Sequence, residues 1–245
     1  MNFDYFVASE AVSDELANQD AYVTDLSVGL FAVADGMGGH AGGATASRVA
    51  VEELLGELAA MPPAQRLQQD RLCEVLVQVN RAVRTTGEVD CDLAGLGTTL
   101  SAVVVSDGAA AICHVGDSRI YRARATCFEQ LTKDHTAAAE LVSQSKLTTE
   151  DARYHFLRHR LTRAIGVEET IQADIHELRL EGDDWIVIAT DGLEKRLELE
   201  ELQAIVIGSH QQNAAELGDQ ILCAARRKRR VDDMTFVVVR CLEEV

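Results

Sequence analysis

An α+β fold, with two packed and mainly antiparallel sheets and helices on their outer faces, is predicted by three features of the sequence. Strand-like runs at 98–105, 109–115 and 119–124 are joined by Ser106-Asp107-Gly108 and Gly116-Asp117-Ser118. Turns that short join antiparallel neighbours. Helical periodicity falls in two separate blocks instead of alternating with single strands, which favours helices stacked outside sheets over βαβ units. The 245 residues are 47% hydrophobic with two prolines, enough for one well-buried domain.

At the N-terminus, residues 2–9 and 22–35 read as strands, with the turn-prone Asp25 and Ser27 inside the second stretch. That stretch ends in the apolar run Val28-Gly29-Leu30-Phe31-Ala32-Val33-Ala34 before Asp35. After a glycine-rich segment, Val51, Leu54, Leu55 and Leu58 recur at i, i+3, i+4, i+7, and Leu72, Val75, Leu76, Val79 and Val83 continue the pattern beyond Pro62-Pro63. Each set lines one face of a helix. Residues 134–159 are polar and helix-prone without an apolar stripe, so an irregular surface excursion is expected. Strands at 171–180 and 185–189 lead into Thr190-Asp191-Gly192; helical patterns at 198–207 and 214–227 precede a last strand at 234–241.

Forty acidic against 23 basic residues give a net charge of −17, which disfavours an electrostatic grip on nucleic acid or on an anionic membrane. No apolar stretch is long enough to span a bilayer, and the start MNFDYFVAS lacks a basic segment leading into a hydrophobic run. A cytoplasmic protein is expected. Cys73, Cys91, Cys113, Cys127, Cys223 and Cys241 are widely spread with no C-x-x-C pair. They are read as buried small hydrophobes in a reducing compartment, with neither a zinc site nor a disulfide framework.

The chemistry is signalled by where certain acids stand. Asp35, Asp117 and Asp191 each follow an apolar strand run, and Asp232 precedes one. Asp is a poor strand former, and a partly buried carboxylate needs a positive partner or several hydrogen bonds. Singly, each acid reads equally well as a turn former or helix cap. As a set converging at one sheet edge they would repel unless a cation lay between them, and an all-oxygen site suits Mg²⁺ or Mn²⁺. Gly36, Gly38 and Ala41 also match a G-x-G-x-x-A nucleotide loop. That reading fails because Asp35 would face a pyrophosphate and the downstream hairpins are not a parallel sheet.

The chain resembles the PPM-type, or type 2C, metal-dependent protein serine/threonine phosphatases in their compact bacterial form. The motifs are Asn18-Gln19-Asp20-Ala21, Ala34-Asp35-Gly36-Met37-Gly38-Gly39-His40, Gly97-Thr98-Thr99-Leu100, Gly116-Asp117-Ser118-Arg119, Leu131-Thr132-Lys133-Asp134-His135, Leu161-Thr162-Arg163-Ala164-Ile165-Gly166, Thr190-Asp191-Gly192 and Asp232-Asp233-Met234-Thr235. One such motif is weak, but eight in family order are specific.

The resemblance implies a four-layer α-β-β-α sandwich, with 1–245 forming a single catalytic domain and a variable flap at about 134–160. It implies two core Mn²⁺ or Mg²⁺ ions held by Asp35, Asp191, Asp232 and the Gly36 carbonyl. Asp20 would support the site directly or through water, Asp117 would join Asp191 at a third, weaker ion, and Asp233 would brace the ligand loop. A metal-bridged hydroxide would attack phosphoserine or phosphothreonine in proteins while His40 protonates the departing alkoxide. The implied partners are phosphoproteins and an opposing bacterial Ser/Thr kinase, and a monomer is expected. A metal-dependent phosphodiesterase or nuclease shares the two-metal logic but sits badly with the negative charge.

The sequence departs from the family pattern at Glu15, where members usually carry a phosphate-binding arginine. At ~5 Å and an effective dielectric of ~20, a unit charge on another amounts to ~3 kcal/mol, so a Glu facing phosphate would weaken binding. This motivates a second expectation, a phosphatase-like regulatory module with weak or no turnover. Arg226-Arg227-Lys228-Arg229-Arg230 ends two residues before Asp232; it reads as a solvated helix terminus before it reads as a phosphate-binding substitute.

Overall fold

The computed structural model describes residues 2–38, 40–106, 109–209 and 211–242, without the side chains of His40, Ala41 and Cys91. The N-terminal part runs β1 (Asn2–Glu10), β2 (Asp20–Asp25), β3 (Leu30–Met37), α1 (His40–Ala60) and α2 (Gln69–Val89). A block of strands follows: β4 (Gly97–Thr98), β5 (Leu100–Ser106), β6 (Ala109–Val115), β7 (Arg119–Arg124) and β8 (Cys127–Gln130). Then come α3 (Ala137–Ser143), α4 (Thr149–Ala152), β9 (Asp174–Leu178), β10 (Trp185–Ala189), α5 (Asp191–Glu194), α6 (Leu199–Ile207), α7 (Ala214–Arg226) and β11 (Met234–Leu242).

The strands form two sheets, ordered β1-β11-β10-β7-β8 and β2-β3-β5-β6-β9, with β4 paired to β3. All the strand pairs are antiparallel. The apolar runs of β3, β10 and β11 do not alternate with polar residues because both faces of these strands are buried. In β3, Leu30, Ala32 and Ala34 face the layer of α1 and α2, packing with Leu54, Leu76 and Val79. Phe31 and Val33 turn the other way and meet Ile186, Ile188 and Val237 between the sheets. On the far side, Trp185, Val187, Phe236 and Val238 pack with Leu202, Leu217 and Ile221 of α6 and α7. Three apolar layers thus separate four layers of secondary structure, the α-β-β-α arrangement expected.

Three details differ from the sequence reading. The edge strand β8 has four residues with no buried position, too short and too exposed to announce itself. The strand expected over 171–180 is confined to Asp174–Leu178. Cys113 and Cys241 are buried as expected, but Cys73, Cys127 and Cys223 are exposed. The first and last of those three lie in α2 and α7, and Cys127 lies in the edge strand β8. Between β8 and β9 the chain makes the excursion expected, with Thr136 and Thr148 capping α3 and α4 through their side-chain oxygens. Among the described residues no helix is long and apolar enough to cross a membrane.

Candidate metal centre

Antiparallel pairing brings the ends of β2 and β3 together, so that Asp20 stands directly opposite Asp35. Two carboxylates placed face to face repel one another. In the other sheet, Ala189 of β10 pairs with Phe236 of β11, which sets Asp191, one residue past Thr190, near Asp232, just before β11. Thr190 ties the sheets together: its hydroxyl donates to Asp20 Oδ2 at 2.8 Å and accepts from the Thr235 N–H at 3.0 Å. Asp233 makes a second tie, accepting from the backbone N–H groups of Val12 at 2.6 Å and Gln19 at 2.7 Å. The Asp35 loop is held by Thr98 and Thr99. The Thr98 hydroxyl donates to the Asp35 carbonyl, and the Thr99 hydroxyl accepts from the Asp35 N–H, both at 2.9 Å.

Gly36 and Gly43 have a packing role. A Cβ at Gly36 would lie 2.0 Å from the Gly43 carbonyl oxygen, and one at Gly43 would lie 2.4 Å from Gln19 Oε1. Only residues without side chains let the first turn of α1 close against the end of β3.

The electrostatics follow from crowding acids in a dry place. Burial raises the Asp20 pKa to about 7, with Asp233 and Asp191 adding to it against the Thr190 and Thr235 hydrogen bonds. Asp35 is pushed well above the carboxylate range, by burial first and then by Asp20, Asp191 and Asp117. Burial and Asp191 carry Asp117 to about 7, although Lys195 and Arg119 oppose the shift. Asp191 stays below its ordinary value: burial pushes it up, but His159 and Lys195 outweigh that. Among the described residues, Asp20 Oδ1 and Asp191 Oδ1 are buried with no hydrogen-bond partner. Unpaired buried carboxylate oxygens among mutually repelling acids are what a hard divalent cation satisfies, so the residues present fit such an ion.

Among the described residues, Asp117, His159 and Asp191 present ligand atoms all within 4.8 Å of one another. His159 Nδ1 lies 3.5 Å from Asp191 Oδ2. The sequence reading gave His159 no role; its only signal was its place at the end of the polar excursion. Lys195, also missed, sits one helical turn after Asp191, with Nζ 2.5 Å from Asp191 Oδ2 and in direct contact with Asp232 Oδ2. A cavity of about 730 Å³ lies beside these groups, lined by Asp35, Gly36, Asp117, Asp191 and Asp232 and by Thr162, Arg163 and Lys195.

Of the remaining candidates, the His40 side chain lies outside the described residues. Glu15 is exposed and is not part of the cavity wall. In the basic run, Arg226 pairs with Glu10, Lys228 with Glu201 and Arg230 with Asp14.

The sequence matches the protein phosphatase 2C family over residues 9–228. The chain belongs to that family. It is 31% identical over 210 residues to the serine/threonine phosphatase stp of Listeria innocua, a match covering 84% of this chain and 82% of that protein. The fold superposes on the crystal structure of the Mycobacterium tuberculosis serine/threonine phosphatase PstP/Ppp with a TM-score of 0.88 and 28% identity, over 98% of this chain and 99% of the other. The catalytic domain of serine threonine protein phosphatase PstP in complex with 2 manganese ions gives a TM-score of 0.84 at 27% identity, over 98% and 99% of the two chains. As a protein phosphatase 2C enzyme, the chain is a metal-dependent protein serine/threonine phosphatase.

Proposed function

We propose that the chain removes phosphate from phosphoserine and phosphothreonine in proteins, opposing a bacterial Ser/Thr kinase, as a cytoplasmic monomer. The observation that carries the reading is the convergence of Asp20, Asp35, Asp117, Asp191 and Asp232 from both sheets, four of them on the wall of one cavity. Asp35, Asp191, Asp232 and the Gly36 carbonyl would hold two core Mn²⁺ or Mg²⁺ ions, and Asp117 with Asp191 a third, weaker one. When bound, such ions activate water and offset charge on the phosphoryl oxygens. Asp20, fixed by Thr190, supports the Asp35 loop from the facing strand. His40, at the start of α1, is assigned the proton delivered to the departing alkoxide. Arg163 and Lys195 bring positive charge to the cavity wall, where a phosphate dianion would need it.

The retained acids and the position of Glu15 away from the cavity wall favour turnover over a regulatory module. The five described free cysteines suit a reducing compartment. The test is hydrolysis of p-nitrophenyl phosphate and a phosphothreonine peptide with Mn²⁺ or with EDTA. Turnover should require the metal and should fall at least about a hundredfold in Asp191→Ala. Hydrolysis that survives EDTA or the substitution would place the chemistry elsewhere.

A further inference from the structure

The ammonium group of Lys195 contacts two of the carboxylates that the proposed metal reading assigns to a divalent ion. It bridges Asp191 and Asp232, touching Oδ2 of each. The other Asp232 oxygen, Oδ1, accepts from the Asp233 N–H at 2.9 Å, so both oxygens of that carboxylate are engaged. The second Asp191 contact, from His159, falls on the same Oδ2 that Lys195 uses, leaving Oδ1 buried and, among the described residues, unpaired. A divalent ion taken up between Asp191 and Asp232 would therefore have to break a lysine ion pair and approach a like charge. Lys195 is held at this point by the chain itself: it is the residue following α5, and its backbone N–H bonds to the Asp191 carbonyl at 2.9 Å. Burial alone would lower its pKa, yet Asp191 and Asp232 hold it above the ordinary lysine value. The side chain lines the cavity, so the ammonium has open space to enter if it is displaced.

We propose that Lys195 is a tethered cation that competes with the divalent ion for Asp191 and Asp232. It holds the acidic cluster together at low metal concentration and sets the concentration at which the ion takes over. This rests on the reading of Asp35, Asp191 and Asp232 as metal ligands, and the two ideas fail differently. A chain purified through EDTA is titrated with Mn²⁺ by calorimetry as wild type, Lys195→Met and Lys195→Arg. Lys195→Met should bind Mn²⁺ about tenfold more tightly, equivalent to ~1.4 kcal/mol, and Lys195→Arg should stay close to wild type because the charge is kept.

In EDTA the methionine variant should also melt at a lower temperature than wild type, since the carboxylates lose their internal counter-charge. The gap should close when Mn²⁺ is added. Equal Mn²⁺ affinity in wild type and Lys195→Met overturns the competition alone, and so does tightening by Lys195→Arg as large as that by Lys195→Met. No heat of Mn²⁺ binding in any of the three overturns the metal reading with it.

Discussion

Asp20 would be an unfavourable residue at a buried strand position facing Asp35 if it stood alone. Thr190 makes the position tenable by donating a hydroxyl hydrogen bond to one carboxylate oxygen, while the other oxygen remains free for a cation. Thr190→Val keeps the shape and removes the donor, so Mn²⁺ affinity measured by calorimetry should drop about tenfold, as for other groups that orient metal ligands. A different buried polar group contributes to acid sensitivity. His114 is packed against His135 with ring centroids 4.7 Å apart, and it bonds Ser101 through Nδ1 and the Lys133 carbonyl through Nε2. Burial first, and the neighbouring His135 next, lower its pKa from 6.5 to about 4. Between those values the unfolded chain takes up a proton that the folded chain refuses, so this residue withdraws stability as pH falls from 6.5 towards 4. In His114→Gln, urea titrations at both ends of that window should show a loss smaller by ~3 kcal/mol.

At the scale of elements, the short helix α5 depends on a glycine. A Cβ at Gly192 would lie 1.7 Å from the Asp233 carbonyl oxygen, so the turn carrying Asp191 can sit beside the Asp232 loop only without a side chain there. Gly192→Ala should cost about 3 kcal/mol in urea unfolding and loosen Mn²⁺ binding with it, because the two loops carrying the proposed ligands are forced apart. Helices α1, α2, α6 and α7 were legible from their apolar spacing, as each lays one stripe on a sheet and leaves the rest in water. α7 adds a capping box, with Asn213 and Glu216 closing its first turn. The edge strand β8 and the trimmed β9 were less legible. β8 pairs only with the neighbouring β7 and has no buried position to mark it, whereas β9 is bounded by its pairing with the distant β6, which periodicity does not encode.

For the whole molecule, the proposed metal centre couples folding to ion binding. Both sheets must be assembled before Asp20, Asp35, Asp191 and Asp232 meet, so a divalent ion held by these proposed ligands would bind the folded chain and not the unfolded one. Free Mn²⁺ at a hundred times its dissociation constant should then stabilise the fold by ~2.7 kcal/mol. A thermal scan should show the midpoint rising with Mn²⁺ and returning with EDTA. The sequence by itself determined the two-block order of strands and helices, the antiparallel turns and the acids at strand ends, since these depend on residues close together in the chain. It also carried the family motifs that named Asp35, Asp117, Asp191 and Asp232. Only the tertiary structure set Asp20 opposite Asp35, brought His159 to Asp191, and placed the Lys195 ammonium between Asp191 and Asp232. Strand register and sheet packing fix those meetings between residues up to 37 positions apart, which apolar periodicity does not encode, whereas charge acts through space wherever the fold puts it.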